Sequence, residues 1–190
     1  MRTIAIALLF AAAACRTLNP DALRDEITAM NKADQEVRQR WLKDQKDPAL
    51  KAEMRELDAK HEKRMRQIVK RYGWPGKSLV GAKASAAAWT LVQHGDKKFL
   101  HEMLPVMEDA AKKGELSYGL VATTIDRVRI SDGQKQLYGT QFDTNGSKCE
   151  PLPIEDPEHL DQRREVAGLG SLATYTEQLC ALYKQQQKPH

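Results

Sequence analysis

NPDALRDEITAMNKADQEVRQRWLKDQKDP, residues 19–48, decides how the chain is built. Asn19, Pro20 and Asp21 form a helix start: an amide that caps, a proline whose missing N–H costs nothing there, and an acid that meets the helix dipole. Behind them Leu23, Ile27, Met30, Val37 and Trp41 recur at helical spacing, so one face is buried. Asp47-Pro48 repeats the start signal, and a second stripe runs Leu50, Met54, Leu57, Met65, Ile68 and Tyr72. Residues 21–72 hold no Gly, one Pro and 25 charged side chains among 52 positions, which predicts a solvated helical hairpin over 20–72 with one dry face. Asp34 fills the slot between Met30 and Val37, and His61 the slot after Leu57. A buried carboxylate or imidazole needs a partner, so an interhelical hydrogen bond, between these two or to another group, is expected; a catalytic role is the alternative.

Outward from this hairpin, Gly73-Trp74-Pro75-Gly76 is a sharp break. Three helices are expected next: an Ala-rich one over Ala82–Gln93; one capped by Asp96 and carrying Phe99, Met103, Met107 and Ala110, with Pro105 predicting a kink; and one from Ser117 through Val128 that stops at Asp132-Gly133. Gln136–Phe142 has strand formers in alternation, Asn145-Gly146 is a hairpin turn, and Lys148–Ile154 is the return strand, confined to an edge by Pro151 and Pro153. Asp156-Pro157-Glu158 opens a helix ending at Gly168, and a last one runs from Leu172 to about Leu182. The fold expected is mainly α, a single domain of about seven helices with a small β-hairpin near 136–154. Its body spans the hairpin and residues 73–184, with 185–190 a polar tail.

The N-terminus is read apart from the fold. Met1–Thr3, the apolar run Ile4–Phe10 and the small residues Ala11–Ala14 form a signal peptide over 1–14. Cys15 directly after small residues resembles a bacterial lipobox, with Ala12 where Leu is usual, so Cys15 is expected to be lipidated and to begin the mature chain. Arg16 stands where an Asp would retain a lipoprotein at the inner membrane, favouring an outer membrane, facing the periplasm or the surface, in a host that has one. The formal charge of +4 falls by one with Arg2. That balance gives no polyanion-binding signal, and the Lys60–Arg71 cations lack the interleaved aromatics of a nucleic-acid reader. Cys149 and Cys180 are the remaining cysteines; a disulfide between them is open after export, but its geometry is not fixed by sequence.

Gly73-Trp74-Pro75, Gln93-His94-x-Asp96, Asp126-Arg127-Val128, Gln136-Leu137-Tyr138-Gly139-Thr140-Gln141, Pro153-Ile154-x-Asp156-Pro157, Arg163-Arg164 and Gly168-Leu169 together resemble a bacterial domain family of unknown function, over roughly residues 24–180. The resemblance implies one domain and supplies no catalytic residues. Its second stretch often reads Gln-His-x-Asp-His, whereas Lys97 stands at the last position here, which counts against a metal site on that segment.

Residue chemistry then nominates the site. His94 follows the apolar end of a helix, and Asp96 or Asp126 is the carboxylate that would orient it for proton transfer. Trp74, Gln93, Arg127, Tyr138, Thr140 and Gln141 offer aromatic, amide, cationic and hydroxyl groups at element boundaries. Arg163 and Arg164 offer bidentate donors for a carboxylate or phosphate, with Asp34 and His61 as the floor of a single site. Each also has a structural role open to it: His94 as a cap, Asp126 paired with Arg163 or Arg164, Tyr138 as a packing residue. The sequence contains no phosphate-cradling Gly-rich loop, Gly-x-Ser-x-Gly elbow, His-Glu-x-x-His or Cys-x-x-Cys, and no cofactor is indicated. A metal site would need His61, His94, Asp34 and Asp96 to converge, and none is assigned. Two function classes follow: a binding or interaction lipoprotein recognising an envelope component or partner protein, or a periplasmic or surface hydrolase-like enzyme using a His/Asp acid-base pair. The lack of a nucleophile favours the first.

Overall fold

In a computed structural model of the chain, residues 19–144 and 148–186 are described. The signal segment with Cys15, the Asn145-Gly146 turn and the end of the polar tail lie outside them. Helix α1 (Pro20–Lys43) starts where the Asn19 side chain accepts from the backbone of Asp21 and Ala22, and α2 (Pro48–Tyr72) starts at Asp47, which accepts from Ala49 and Leu50. Leu23, Ile27 and Val37 on α1, and Met65 and Ile68 on α2, are buried, so the deduced stripes are the packed faces. After Gly73, Trp74 enters the core and a four-residue helix, α3 (Lys77–Val80), precedes α4 (Ala82–Gln93).

Helix α4 packs against both α1 and α2. Its Ala84 and Ala88 are buried, small side chains that allow close approach, while Leu91 and Val92 fill the space beyond. Helix α5 (Lys97–Lys112) is capped by Asp96, continues through Pro105, and packs against α6 (Tyr118–Ser131). Phe99, Met103 and Met107 from α5 and Val121 from α6 complete the core.

The C-terminal part departs from the expected hairpin. Gln136 makes one parallel bridge to Ile154, and only Phe142–Asp143 (β1) and Glu150–Pro151 (β2) pair antiparallel. Residues 137–140 leave strand geometry because their N–H groups turn onto the Asp126 carboxylate: Leu137 at 2.6 Å, Tyr138 at 3.0 Å and Thr140 at 3.0 Å. Gly139 permits the turn with φ +65°, and a Cβ there would come within 3.0 Å of Leu172.

Asp156 is a second departure. It adopts φ +48°, and its carboxylate engages His159 and Arg163 without capping a helix. A 3-10 turn (Pro157–His159) therefore precedes α7 (Leu160–Val166). Helix α8 (Leu172–Gln186) runs past Leu182, and a Cys149–Cys180 disulfide ties it to the residue before β2. The fold is thus mainly helical, with eight α-helices and a two-stranded sheet among the described residues. None of these helices is long and apolar enough to cross a membrane.

Candidate functional site

His94 ends α4, and the carboxylate that meets it comes from α1, sixty residues earlier. Both oxygens of Asp34 lie at hydrogen-bond distance from His94 Nδ1, 3.0 and 2.9 Å. Arg38 Nε donates to Asp34 at 3.0 Å and Gln35 Nε2 at 2.8 Å. Burial pushes the Asp34 carboxyl up, but the hydrogen bond and charge of His94, joined by Arg38 and Gln35, outweigh it and hold the group below its ordinary 3.8. An ionised carboxylate only accepts, so Nδ1 of His94 must donate, leaving Nε2 as the lone-pair nitrogen of the neutral ring. The Asp34 side chain is 1% exposed and that of His94 is 22% exposed, so the ring spans from the interior to the surface.

Helix α2 completes the surroundings. Arg38 Nη2 also donates to Asp58 at 2.5 Å, although burial still pushes Asp58 up from 3.8. His61 is buried as expected, yet it does not bond to Asp34, whose oxygens are taken by His94, Arg38 and Gln35. Its Nδ1 has no partner among the described residues, and burial drives its pKa below 6.5 against the pull of Asp34 and Asp58. Glu62 accepts from the Asp96 backbone at 2.8 Å, which pins the turn following His94.

The carboxylates expected to orient His94 are spent elsewhere. Asp96 is exposed and accepts from Phe99 N at 2.7 Å, capping α5. Asp126 is fully buried and accepts from the backbone N–H groups of Leu137, Tyr138 and Thr140 and from the Thr140 hydroxyl at 2.9 Å. It pairs with neither Arg163 nor Arg164. Arg163 donates to the carbonyls of Leu137, Glu155 and Asp156 and to the Asp156 carboxylate. Arg164, 1% exposed, donates to the carbonyls of Gly170, Tyr138 and Gly139 and lies over the Tyr175 ring. Both arginines hold main chain in place.

The nominated residues therefore fall into two groups joined by α6. Asp126 faces the 137–140 loop; Arg127, the next residue, reaches α4, where Nη1 donates to the Gln93 carbonyl at 2.8 Å. Gln93 is buried and its amide donates to Thr124 at 2.7 Å. Gln141 donates to the Thr123 carbonyl and to Thr140 Oγ1. Trp74 is packed in the core with its indole N–H toward Ser85. Tyr138 meets Tyr118 hydroxyl to hydroxyl at 3.3 Å, and the two line an open groove of about 470 Å³ with Gln162, Arg163 and Val166. Burial and the Tyr118 hydroxyl push the Tyr138 phenol up.

Sequence reasoning missed Gln35, Arg38 and Asp58. Arg38 had a legible signal, since it stands four residues after Asp34, within reach on the same helix; Asp58 had none. Five buried side-chain polar atoms lack a partner among the described residues. All five, Asn31 Oδ1, Trp41 Nε1, His61 Nδ1, Gln93 Oε1 and Arg127 Nε, belong to α1, α2, α4 and α6. Among the described residues, no group of three or more His, Cys, Asp or Glu stands together as a metal site.

Comparison with known proteins gives one finding. The model of a family of unknown function (DUF6624) matches residues 20–188. No curated protein and no solved structure matches the chain.

Proposed function

The chain belongs to this family of unknown function, and we propose that it is a lipid-anchored protein of the cell envelope that binds a polar ligand at the Asp34–His94 site. One observation carries the reading: His94 is fixed through Nδ1 by a buried carboxylate, while among the described residues Nε2 has no hydrogen bond on a partly exposed ring. A histidine serving packing alone has no use for this arrangement, because desolvating Asp34 is costly and the cost is met by groups that also aim the ring. The unpartnered polar atoms on the surrounding helices suit a polar ligand better than a dry core.

The envelope placement rests on Cys15 after its small-residue run, with the membrane reached through the lipid and the ligand an envelope component or partner protein. The Cys149–Cys180 disulfide supports it, since such bonds persist in oxidising compartments. If Cys15 is the anchor, labelled fatty acid enters the wild type in a bacterial host and not Cys15→Ser; equal labelling would contradict the anchor.

A second reading, a periplasmic or surface hydrolase-like enzyme, is favoured by the same dyad. Asp34 takes the orienting role expected of Asp96 or Asp126, and Nε2 is then a general base for a water or hydroxyl. One experiment addresses both readings. The purified protein is screened by thermal shift and product release against cell-wall fragments, nucleotides and phosphoesters, then again as His94→Ala. A ligand that raises the wild-type Tm and not that of a folded His94→Ala protein supports the binding site, and turnover lost in the variant supports the enzyme. Ligands acting equally on both proteins would overturn the assignment.

A further inference from the structure

We propose that Arg127 is the anion-recognising arm of the His94 site, so that the ligand carries a carboxylate or phosphate group. The inference rests on the reading of the site given above and adds its ligand class.

The first ground is position. Arg127 Nη1 donates to the carbonyl of Gln93, one peptide before His94, so the guanidinium lies against the end of α4 that carries the imidazole. That bond uses one nitrogen. Among the described residues, Nε is buried without a partner and Nη2 has no hydrogen bond, so the Nε–Nη2 edge is unpaired. It is the edge with which Arg64 grips Glu26, at 2.5 and 2.8 Å. A carboxylate or phosphate is the group that takes two parallel N–H donors at once.

The second ground is charge. Arg38, Arg64, Arg66, Arg129 and Arg163 each meet a carboxylate. The buried Arg164 has three carbonyls. Among the described residues Arg127 has one carbonyl and no carboxylate; the ionisable groups that act on it are Tyr183, Tyr175 and a second cation, Arg38. The acids of the dyad are engaged with other groups, Asp34 with His94 and Arg38, and Asp58 with Arg38. A partly buried guanidinium with unused donors and no counter-charge is an unfavourable resting state that a bound anion relieves. The unpartnered Gln93 Oε1 beside it offers an acceptor for a hydroxyl or amide of the same ligand.

The test uses inorganic phosphate and acetate, with chloride as control, on the purified protein labelled with nitrogen-15. Phosphate, acetate or both shift the Arg127 Nε–Hε and His94 ring resonances and raise the wild-type Tm. A response to phosphate alone marks a phosphoryl ligand, and one to acetate alone a carboxylate. Arg127→Gln weakens the binding about tenfold or more. Arg127→Lys restores it only in part, since it returns charge without the fork. Without anion, Arg127→Gln loses the bond to the Gln93 carbonyl together with the uncompensated cation, so affinities are compared between variants shown to be folded by circular dichroism. Absence of any response to both anions overturns the proposal, as does equal affinity in wild type and Arg127→Gln. Anion binding felt at His94 but indifferent to Arg127→Gln keeps the His94 site and removes Arg127 from it. Binding that requires Arg127 but leaves the His94 ring unmoved defeats the shared site.

Discussion

Replacing Asp126 with alanine removes the acceptor around which residues 137–140 are folded. Its carboxylate serves four donors: the N–H groups of Leu137, Tyr138 and Thr140 and the Thr140 hydroxyl. Hydrogen bonds to a charged group contribute about 1.5–3 kcal/mol each, and stranding a buried donor costs about 1–3 kcal/mol. Thr140 is buried and its two donors bear close to the full cost, whereas Leu137 and Tyr138 are half-buried and recover part of theirs from water. The four together come to about 4 kcal/mol, a large share of a total stability of about 5–15 kcal/mol. With a urea slope of about 2 kcal/mol/M, the midpoint falls by about 2 M. Asp126→Asn keeps one acceptor oxygen and loses about half as much. Equilibrium urea unfolding followed by circular dichroism measures both variants. Asp126→Ala within about 1 kcal/mol of wild type would refute the claim that this carboxylate organises the loop.

Reducing the Cys149–Cys180 bond, which closes a loop of 31 residues, lowers stability by about 3.7 kcal/mol, and superimposable unfolding curves with and without reductant would count against this. Burial holds His61 below its ordinary 6.5 despite Asp34 and Asp58, with Arg38 and His94 opposing its protonation as well. The unfolded chain therefore takes up this proton first, and the contribution of neutral His61 is complete above 6.5 and lost as pH falls through the lower folded value. Between about pH 7 and pH 5 the wild-type Tm should drop further than that of His61→Gln; an equal or smaller drop contradicts the burial effect.

The helices were legible where the chain carries its own punctuation. Asn19-Pro20, Asp47-Pro48 and Asp96 cap as local chemistry requires, and Ala82–Gln93 is bounded by glycines and by His94. Asp34 and His61 were legible as buried because they interrupt apolar stripes, but their surroundings were not, since His94 reaches Asp34 across sixty residues. Gln136–Phe142 reads as a strand because alternation reports side chains alone, whereas the backbone N–H groups of 137–140 answer to Asp126 on another element. Arg163 and Arg164 illustrate the same limit: their chemistry suits a ligand, and the fold spends it on carbonyls. Arg127 gave no signal beyond its charge, because its lack of a counter-ion exists only after packing.

The orientation of His94 by Asp34 is tested most directly by long-range proton–nitrogen NMR of the imidazole at neutral pH. The geometry predicts that in the neutral ring Nδ1 carries the proton, donated to Asp34, and Nε2 carries the lone pair. In Asp34→Asn this preference should be lost. A ring protonated at Nε2 in the wild type, or a tautomer indifferent to Asp34→Asn, would contradict the dyad and the site built on it.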